Sequence, residues 1–254
     1  MNATDLIDAL DLPVECRVDQ RVPKKLLVEK GAPTAADKCG INDGIEEIRW
    51  LAALKPTTIG VSEYRDEVRE YLEIAVLSVM LRPGAKETRL TELIHRAVPY
   101  PVFLVTTAHD QSLILSLAHK RWAQNEADKV VLEDEVVGAH MTTPPLPTTL
   151  KQTFLASLSL GRQSRPHLFA LYQGWLDAIL AVQAASITGT FTPTASIEDS
   201  LARRMALQQV QQLEAQIVAL RKTAAKERQM ARQVELNLEL QRLLTQLADA
   251  RGRL

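Results

Sequence analysis

Four consecutive side chains near the middle of the chain could bind an anion. His119, Lys120, Arg121 and Trp122 lie at the end of a β-strand predicted over residues 112–119. A strand end that presents an imidazole, an ammonium and a guanidinium group together could bind a phosphate or a carboxylate. In the alternative interpretation, Trp122 packs against the core and the charged side chains lie in water. The segment is therefore a candidate phosphate or interaction site.

A second basic cluster lies in the C-terminal part of the chain, where Glu227 is its only opposing charge. It could contact the phosphates of a nucleic acid or an acidic protein. It could also be a solvated helix face with local ion pairs. No aromatic side chain lies between the cations, so base stacking is not predicted. The cations of this cluster are Arg221, Lys222, Lys226, Arg228 and Arg232.

The histidines and cysteines predict no metal site. No histidine pair has the spacing of a local metal-binding motif, and Cys16 and Cys39 are too far apart for the usual zinc spacing. The sequence contains no P-loop, GxSxG or GxGxxG motif either. We therefore expect no catalytic residue, no metal ligand and no cofactor.

A divergent metal-dependent nuclease is the catalytic alternative. Such an enzyme would need an Asp and a Glu-x-Lys pattern on adjacent strands to hold the metal and to position water. The best strand offers Glu70 and Glu73, but Ala75 stands where the lysine is needed. The acidic run of residues 133–135 has no such lysine, so the sequence gives this alternative little support.

The composition is that of a soluble protein. Hydrophobic residues make up 46% of the 254 residues and the formal net charge is -1, so no overall field draws the chain to nucleic acid or to an anionic membrane. Residues 197–254 carry ten Lys and Arg against seven Asp and Glu, so an acidic partner would be met there. The N-terminus does not resemble a signal peptide, and no membrane span is expected. We expect a cytoplasmic protein without a membrane partner.

The elements that must position these residues begin with a mixed α/β domain over residues 1–140. We predict a loop over 31–44, a helix over 45–54, strands over 70–81, 101–108, 112–119 and 130–138, and a helix over 87–97. The tight turn at residues 109–111 makes two of the strands a hairpin. Residues 141–192 are predicted to be a linker with two packing helices, over 150–159 and 166–186.

Residues 193–254 predict one helix of some 50 residues with coiled-coil character. Between Ile197 and Leu254 there is no proline, and the only glycine is Gly252. Apolar residues keep the alternating three- and four-residue step of a coiled-coil seam in two runs that are out of phase, so the heptad pattern breaks between 225 and 235. Either seam needs another chain, or another part of this one, to bury it. The seam residues are Val210, Leu213, Ile217, Leu220 and Ala224 in the first run and Leu236, Leu240, Leu243, Leu247 and Ala250 in the second.

Six segments, in this order, resemble an uncharacterised bacterial family, the domain of unknown function of class 4391. They are RVPKKLL (21–27), EIRWLAALKPTTI (47–59), RLTELIHRAVPYPVFLV (89–105), LSLAHKR (115–121), SITGTF (186–191) and KERQMARQVELNLEL (226–240). The resemblance spans nearly the whole chain. It implies a setting in bacterial defence islands, beside helicase and DNA-methyltransferase genes, and it supplies no catalytic residues.

These observations together favour a non-catalytic accessory subunit of an anti-phage, restriction-like complex. Its expected partners are a helicase or methyltransferase subunit, or a second copy of the chain through the coiled coil. A DNA-binding subunit that uses the basic cluster is the second hypothesis, and contact with nucleic acid would otherwise be indirect. The divergent nuclease is the third.

Overall fold

The computed structural model describes residues 1–123, 130–142, 145–194 and 196–254. The chain divides into two compact units, Met1–Ile179 and Leu180–Leu254. The first unit is mixed α/β and the second is helical, which confirms the predicted fold class at this level.

The helices and strands have the following bounds. The helices are α1 (Ala3–Ala9), α2 (Lys24–Gly31), α3 (Ala35–Gly44), α4 (Pro56–Ile59), α5 (Glu87–Ala97), α6 (Thr148–Leu158), α7 (Leu168–Thr188), α8 (Ile197–Ala224) and α9 (Met230–Arg251). The strands are β1 (Arg17–Arg21), β2 (Ile45–Leu54), β3 (Tyr64–Arg65), β4 (Glu70–Tyr71), β5 (Ile74–Leu81), β6 (Val102–Thr107), β7 (Leu113–Leu117), β8 (Lys120–Trp122), β9 (Val130–Leu132) and β10 (Val137–His140).

A six-stranded sheet in the order β1-β2-β5-β6-β7-β10 organises the first unit. Neighbouring strands are antiparallel except β5 and β6, which are parallel and are connected through helix α5. A parallel pair needs such a crossover, whereas the antiparallel β6 and β7 are joined by the predicted tight turn. Strands β8 and β9 form a separate two-stranded hairpin.

Helices cover both faces of this sheet. On one face α2, α3 and α5 pack against β2, β5 and β6, and Val102 and Leu104 of β6 belong to this core. On the other face Phe103 contacts the ring of Trp175 edge-on, at 5.2 Å between centroids. Successive residues of β6 therefore enter opposite cores, which explains why this strand is a continuous apolar run. The two cores therefore share the central strand β6.

The contact between α2 and α5 is close enough to test by adding one methyl group. A Cβ atom at Gly31 would lie 2.7 Å from Ala97 Cβ and 2.7 Å from the Leu93 carbonyl oxygen. Because such distances force the backbone apart, we expect Gly31→Ala to lower the free energy of unfolding by about 1–3 kcal/mol. Urea denaturation would measure the change.

Gly40 provides the matched control for that substitution. It lies within α3, and an added Cβ would meet only Leu90 Cδ2, at 3.9 Å. Alanine is a better helix former than glycine by about 1 kcal/mol, so Gly40→Ala should stabilise the protein. Equal effects of the two substitutions would show that the α2–α5 contact is looser than described.

The predicted helix over residues 45–54 is wrong, because this segment is strand β2. The strand pairs with β5, and its register shifts twice, between Ile45 and Glu47 and between Trp50 and Ala52. A β-bulge inserts a residue and moves the following side chains to the other face. The buried Ile45 and Ile48 are therefore three residues apart, and this spacing imitates that of a helix.

The predicted loop over residues 31–44 is also wrong, since α3 occupies most of it. Thr34 caps this helix, and its hydroxyl accepts a hydrogen bond from the Asp37 backbone N–H at 3.1 Å. The glycines that suggested a loop have packing roles instead. A Cβ at Gly44 would lie 2.8 Å from Leu90 Cδ1, so the absence of a side chain lets α3 approach α5.

The predicted single C-terminal helix is corrected to two helices. Helix α8 ends at Ala224 and α9 begins at Met230. Neither proline nor glycine causes the break. The Glu227 carboxylate accepts hydrogen bonds from the backbone N–H groups of Arg228 and Gln229, at 2.8 and 2.9 Å, and so stabilises the turn. The phase change in the apolar pattern correctly placed an interruption after residue 225.

Helix α7 is long and apolar enough to cross a membrane by composition alone. It has 21 residues, but 67% of its most apolar window is buried inside the protein. The buried core helix of a soluble protein passes the same test of length and composition.

Candidate functional site

The predicted HKR segment does not form one surface, because its three side chains enter different environments. His119 is half-buried beside an aromatic group, Lys120 is 2% exposed, and Arg121 is half-buried. Arg121 Nη1 donates to the Trp122 carbonyl oxygen at 3.1 Å. Alternation along β8 explains the separation of Lys120 from Arg121, since successive strand residues point to opposite faces.

His119 belongs to a polar chain inside an aromatic cluster. Its Nδ1 is hydrogen-bonded to the Tyr71 hydroxyl, and its Nε2 lies 2.8 Å from Gln173 Oε1. Because a carbonyl oxygen can only accept, Nε2 carries the proton and Nδ1 accepts from Tyr71. Phe169 lies nearby in a tilted arrangement, with its ring centroid 5.1 Å from that of His119. These contacts hold the His119 side chain in the interior of the α/β unit, so its role there is structural.

Lys120 closes the C-terminal end of helix α5. Its ammonium group donates to the carbonyl oxygens of His95, at 2.5 Å, and of Val98. The last carbonyls of a helix lack partners within the helix and carry its negative dipole, so a lysine there stabilises it. No carboxylate among the described residues pairs with this amine. Burial accordingly lowers the pKa of Lys120 to about 7.

His95 is a second buried titratable group beside Lys120, and sequence reasoning did not single it out. Its side chain is fully buried, and Nε2 lies 3.0 Å from Ser116 Oγ. Its Nδ1 has no hydrogen-bond partner among the described residues. Burial, and to a lesser degree the charge of Lys120, lower the pKa of His95 to about 3. The only sequence signal was a histidine in the last turn of an amphipathic helix, which is common in cores.

The low pKa of His95 makes stability depend on pH. The unfolded chain takes up a proton at pH values below about 6.5, whereas the folded chain stays neutral there until about pH 3. The free energy of unfolding therefore decreases as the pH falls through this window, by up to about 1.4 kcal/mol per pH unit. We expect His95→Gln to flatten the stability curve between pH 6.5 and 4.5, measured by urea denaturation. The exposed His140→Gln is the control, and parallel curves for wild type and His95→Gln would contradict the assignment.

Lys120 and His95 line a cavity of about 510 Å³. Helix α2 contributes Lys30 and Glu29, and the β8–β9 hairpin contributes Val130 and Leu132. The lining of the cavity thus combines cationic and apolar side chains.

The two predicted seams meet each other within one chain. In the helical unit, Val210, Leu213 and Ile217 of α8 form a buried cluster with Leu247 and Ala250 of α9. Leu240 and Leu243 pack against this cluster, Leu236 is also buried, and Leu220 and Ala224 are half-buried. The Arg251 guanidinium donates to Glu214 Oε1 at 2.8 Å, which places the end of α9 beside the middle of α8. The two helices therefore form an antiparallel hairpin, and each predicted seam buries the other.

The basic cluster lies where this hairpin turns. Arg232 pairs with Glu235 at 2.6 Å. Within the described part of the chain, the other four cationic side chains have no ion pair, and all four are exposed. They are Arg221, Lys222, Lys226 and Arg228. We call residues 221–238 the hairpin tip.

An exposed apolar stripe runs along the hairpin tip beside these cations. Met230, Val234 and Leu238 are 80%, 59% and 59% exposed. They are spaced four residues apart and so lie on one side of α9. Sequence reasoning missed this stripe because it followed the seam of α9, which is offset from the stripe by two residues.

The acidic residues considered for a nuclease do not form a metal site. Glu73 is buried at the start of β5 and its Oε2 lies 3.2 Å from Lys55 Nζ. Among the residues that the structure describes, no three His, Cys, Asp or Glu side chains are grouped to hold a metal ion.

Comparison with known proteins identifies the family. No curated protein and no solved structure matches the chain. The family model described as Domain of unknown function (DUF4391) matches residues 10–247. This match covers nearly the entire chain, including the sheet, the cavity and most of the helical hairpin, and the protein is therefore a member of the DUF4391 family.

Proposed function

We propose that the protein is a non-catalytic accessory subunit that binds a partner protein through its hairpin tip. The observation that carries this proposal is the stripe of Met230, Val234 and Leu238, which is exposed beside four unpaired cations. An isolated exposed apolar side chain is ordinary, but an aligned set on one helix face is a typical protein contact.

The chemistry of the hairpin tip defines the partner surface. A helix that presents apolar side chains at every fourth position fits a hydrophobic groove on another protein. The cations beside the stripe favour a groove with an acidic rim, because complementary charge speeds encounter and fixes orientation. The partner is therefore a protein with an apolar groove bordered by Asp and Glu.

The seam itself supports a hairpin within one chain rather than a dimer. The three- and four-residue steps on both helices favour knobs-into-holes packing, so the hairpin would be a short antiparallel coiled coil within one chain. Since each seam is buried by the other, no second copy is needed to cover it. We therefore place the intermolecular contact at the hairpin tip.

The family resemblance suggests the setting of this contact. Defence-island neighbours of restriction-like systems include helicases and DNA methyltransferases, and either would be the expected cytoplasmic partner. In such an assembly the helical hairpin would make the contact with the partner, and the α/β unit would have a role of its own.

Purification of the tagged full-length chain from its native host, at moderate salt, tests the proposal. We expect a helicase or a DNA methyltransferase in a fixed ratio to the chain, identified by mass spectrometry. Recovery of the chain alone, across several growth conditions, would overturn the accessory-subunit assignment.

DNA binding is the second candidate, and the unpaired cations of the hairpin tip favour it. Each phosphate contact releases counterions, so binding through these cations would weaken steeply with salt. Arg228→Glu with Arg232→Glu should then weaken binding and reduce its salt dependence. Unchanged binding of a DNA duplex by this variant would remove the hairpin tip as a DNA site.

A further inference from the structure

The cavity beside Lys120 has an excess of positive charge. Two ion pairs account for some of the charges on its wall, because Glu29 pairs with Lys25 and Arg96 with Glu92. Lys30 and Lys120 also line the cavity, and neither has a carboxylate partner among the described residues. Within the described part of the chain, these two amines therefore have no compensating carboxylate.

Lys120 is the unusual member of this pair. A buried ammonium group is costly unless an opposite charge accompanies it. Its two described partners, the carbonyl oxygens of His95 and Val98, use only two of its three N–H donors. A bound anion would accept a hydrogen bond from the third N–H donor of Lys120 and would supply the opposite charge.

The other residues that line the cavity indicate the chemistry of the rest of the ligand. Ala32 and Pro33 of the α2–α3 connection and Val130, Val131 and Leu132 of β9 line the same cavity. The volume of about 510 Å³ is within the range of small-molecule sites. A ligand with a charged end and an apolar body would match both kinds of side chain in this lining.

We infer that this cavity binds a small molecule that carries a phosphate or carboxylate group, with Lys120 and Lys30 holding the anionic oxygens and β9 covering the apolar body. This site lies in the α/β unit and shares no residue with the hairpin tip. Loss of the partner contact would therefore leave the ligand site unaffected, and the two proposals fail independently.

Lys24 supplies a control that is matched in its structural role. Its ammonium group donates to the carbonyl oxygens of Asn42, at 2.9 Å, and of Ile45, and so it closes the end of α3 much as Lys120 closes α5. It does not line the cavity. Lys24→Met removes a helix-capping lysine and leaves the proposed site complete.

Isothermal titration calorimetry of the full-length chain with inorganic phosphate and, separately, with hexanoate tests the inference. We expect saturable binding of at least one probe, and the two arms distinguish a phosphate site from an aliphatic carboxylate site. Lys120→Met should weaken binding by at least about tenfold, since a charge-assisted hydrogen bond is lost, while Lys24→Met binds as wild type does.

Lys30→Met keeps the test decisive if Lys120→Met does not fold. Lys30 is exposed, so its replacement should leave the fold intact and weaken binding severalfold. Absence of binding of both probes to the wild type at about 10 mM, which is weaker than the affinity of an ordinary specific site, would overturn the inference. Equal binding by wild type and Lys30→Met would do the same.

Discussion

Replacement of Met230, Val234 and Leu238 by glutamine is expected to reduce the affinity for the partner protein at least about a hundredfold. Full burial of one such side chain contributes about 1.5–3 kcal/mol, and three in one interface exceed the roughly 3 kcal/mol that a hundredfold change requires. The side chains are exposed in the free chain, and glutamine is a good helix former, so the hairpin itself should persist. Quantitative co-purification of the helicase or methyltransferase with the tagged variant would measure the loss.

The other end of the hairpin provides a control with the same spacing and exposure. Ile197, Leu201 and Met205 of α8 are 58%, 56% and 61% exposed and are also four residues apart. Acidic Glu198 and Asp199 accompany them together with Arg203 and Arg204, so the charges around this stripe balance, whereas those of the hairpin tip are mainly positive. We expect the triple glutamine variant here to retain the partner. Loss of the partner in this control, together with retention in the hairpin-tip variant, would move the docking site away from the hairpin tip.

Ile217→Asp should have the largest effect on the folding of the helical unit. Ile217 is 4% exposed within the cluster that joins α8 to α9, and an unpaired carboxylate there costs several kcal/mol. The hairpin owes its stability to this seam, because most helical stability in proteins comes from the packing of an apolar face rather than from helix propensity. We expect the helices to separate and unfold, with loss of the corresponding circular dichroism signal at 222 nm.

Val218→Asp is the control, since the neighbouring Val218 is 51% exposed. It should cost less than about 1 kcal/mol, the difference expected from helix propensity alone.

The melting temperature of the wild type should not depend on protein concentration, because both halves of the seam belong to one chain. A melting temperature that rises with concentration would show that the seam joins two chains.

The sequence pattern singled out apolar residues, several of which pack between α8 and α9, but it could not say which surface would bury them. The two runs, from Val210 to Ala224 and from Leu236 to Ala250, are out of phase, and this detail predicted a break. A chain reversal and a change of partner give the same pattern. The turn at Glu227 has no proline or glycine to announce it, since a side-chain carboxylate and its neighbouring N–H groups form it.

The errors in the α/β unit have a common physical origin in tertiary context. Two bulges in β2 hide the alternation of a strand, so Ile45 and Ile48 appear at helical spacing. In α3 the close approach of Gly44 to Leu90 favours glycine where propensity alone predicts a loop. In contrast, α5 and the β6–β7 hairpin were predicted correctly because local pattern and burial agree there.

The candidate site was predictable only in part. Lys120 was singled out as a basic residue at a strand end, but its role depends on His95 and Val98, which are more than 20 residues away in sequence. A contact between a strand and the end of a distant helix produces no periodic pattern in the sequence. The exposed stripe at the hairpin tip was equally hidden, because exposure of apolar residues follows from how α8 and α9 pair.

Incorporation of a photo-crosslinking amino acid at Val234 in the native host would test the proposed contact of the hairpin tip most directly. Val234 is exposed at the centre of the stripe, so the probe reports on what touches the hairpin tip without disturbing the seam. We predict an adduct with a helicase or a DNA methyltransferase, which mass spectrometry would identify by sequence, and no such adduct from a probe at Leu201. An adduct only with a second copy of the chain, or only with DNA, would contradict the proposed function.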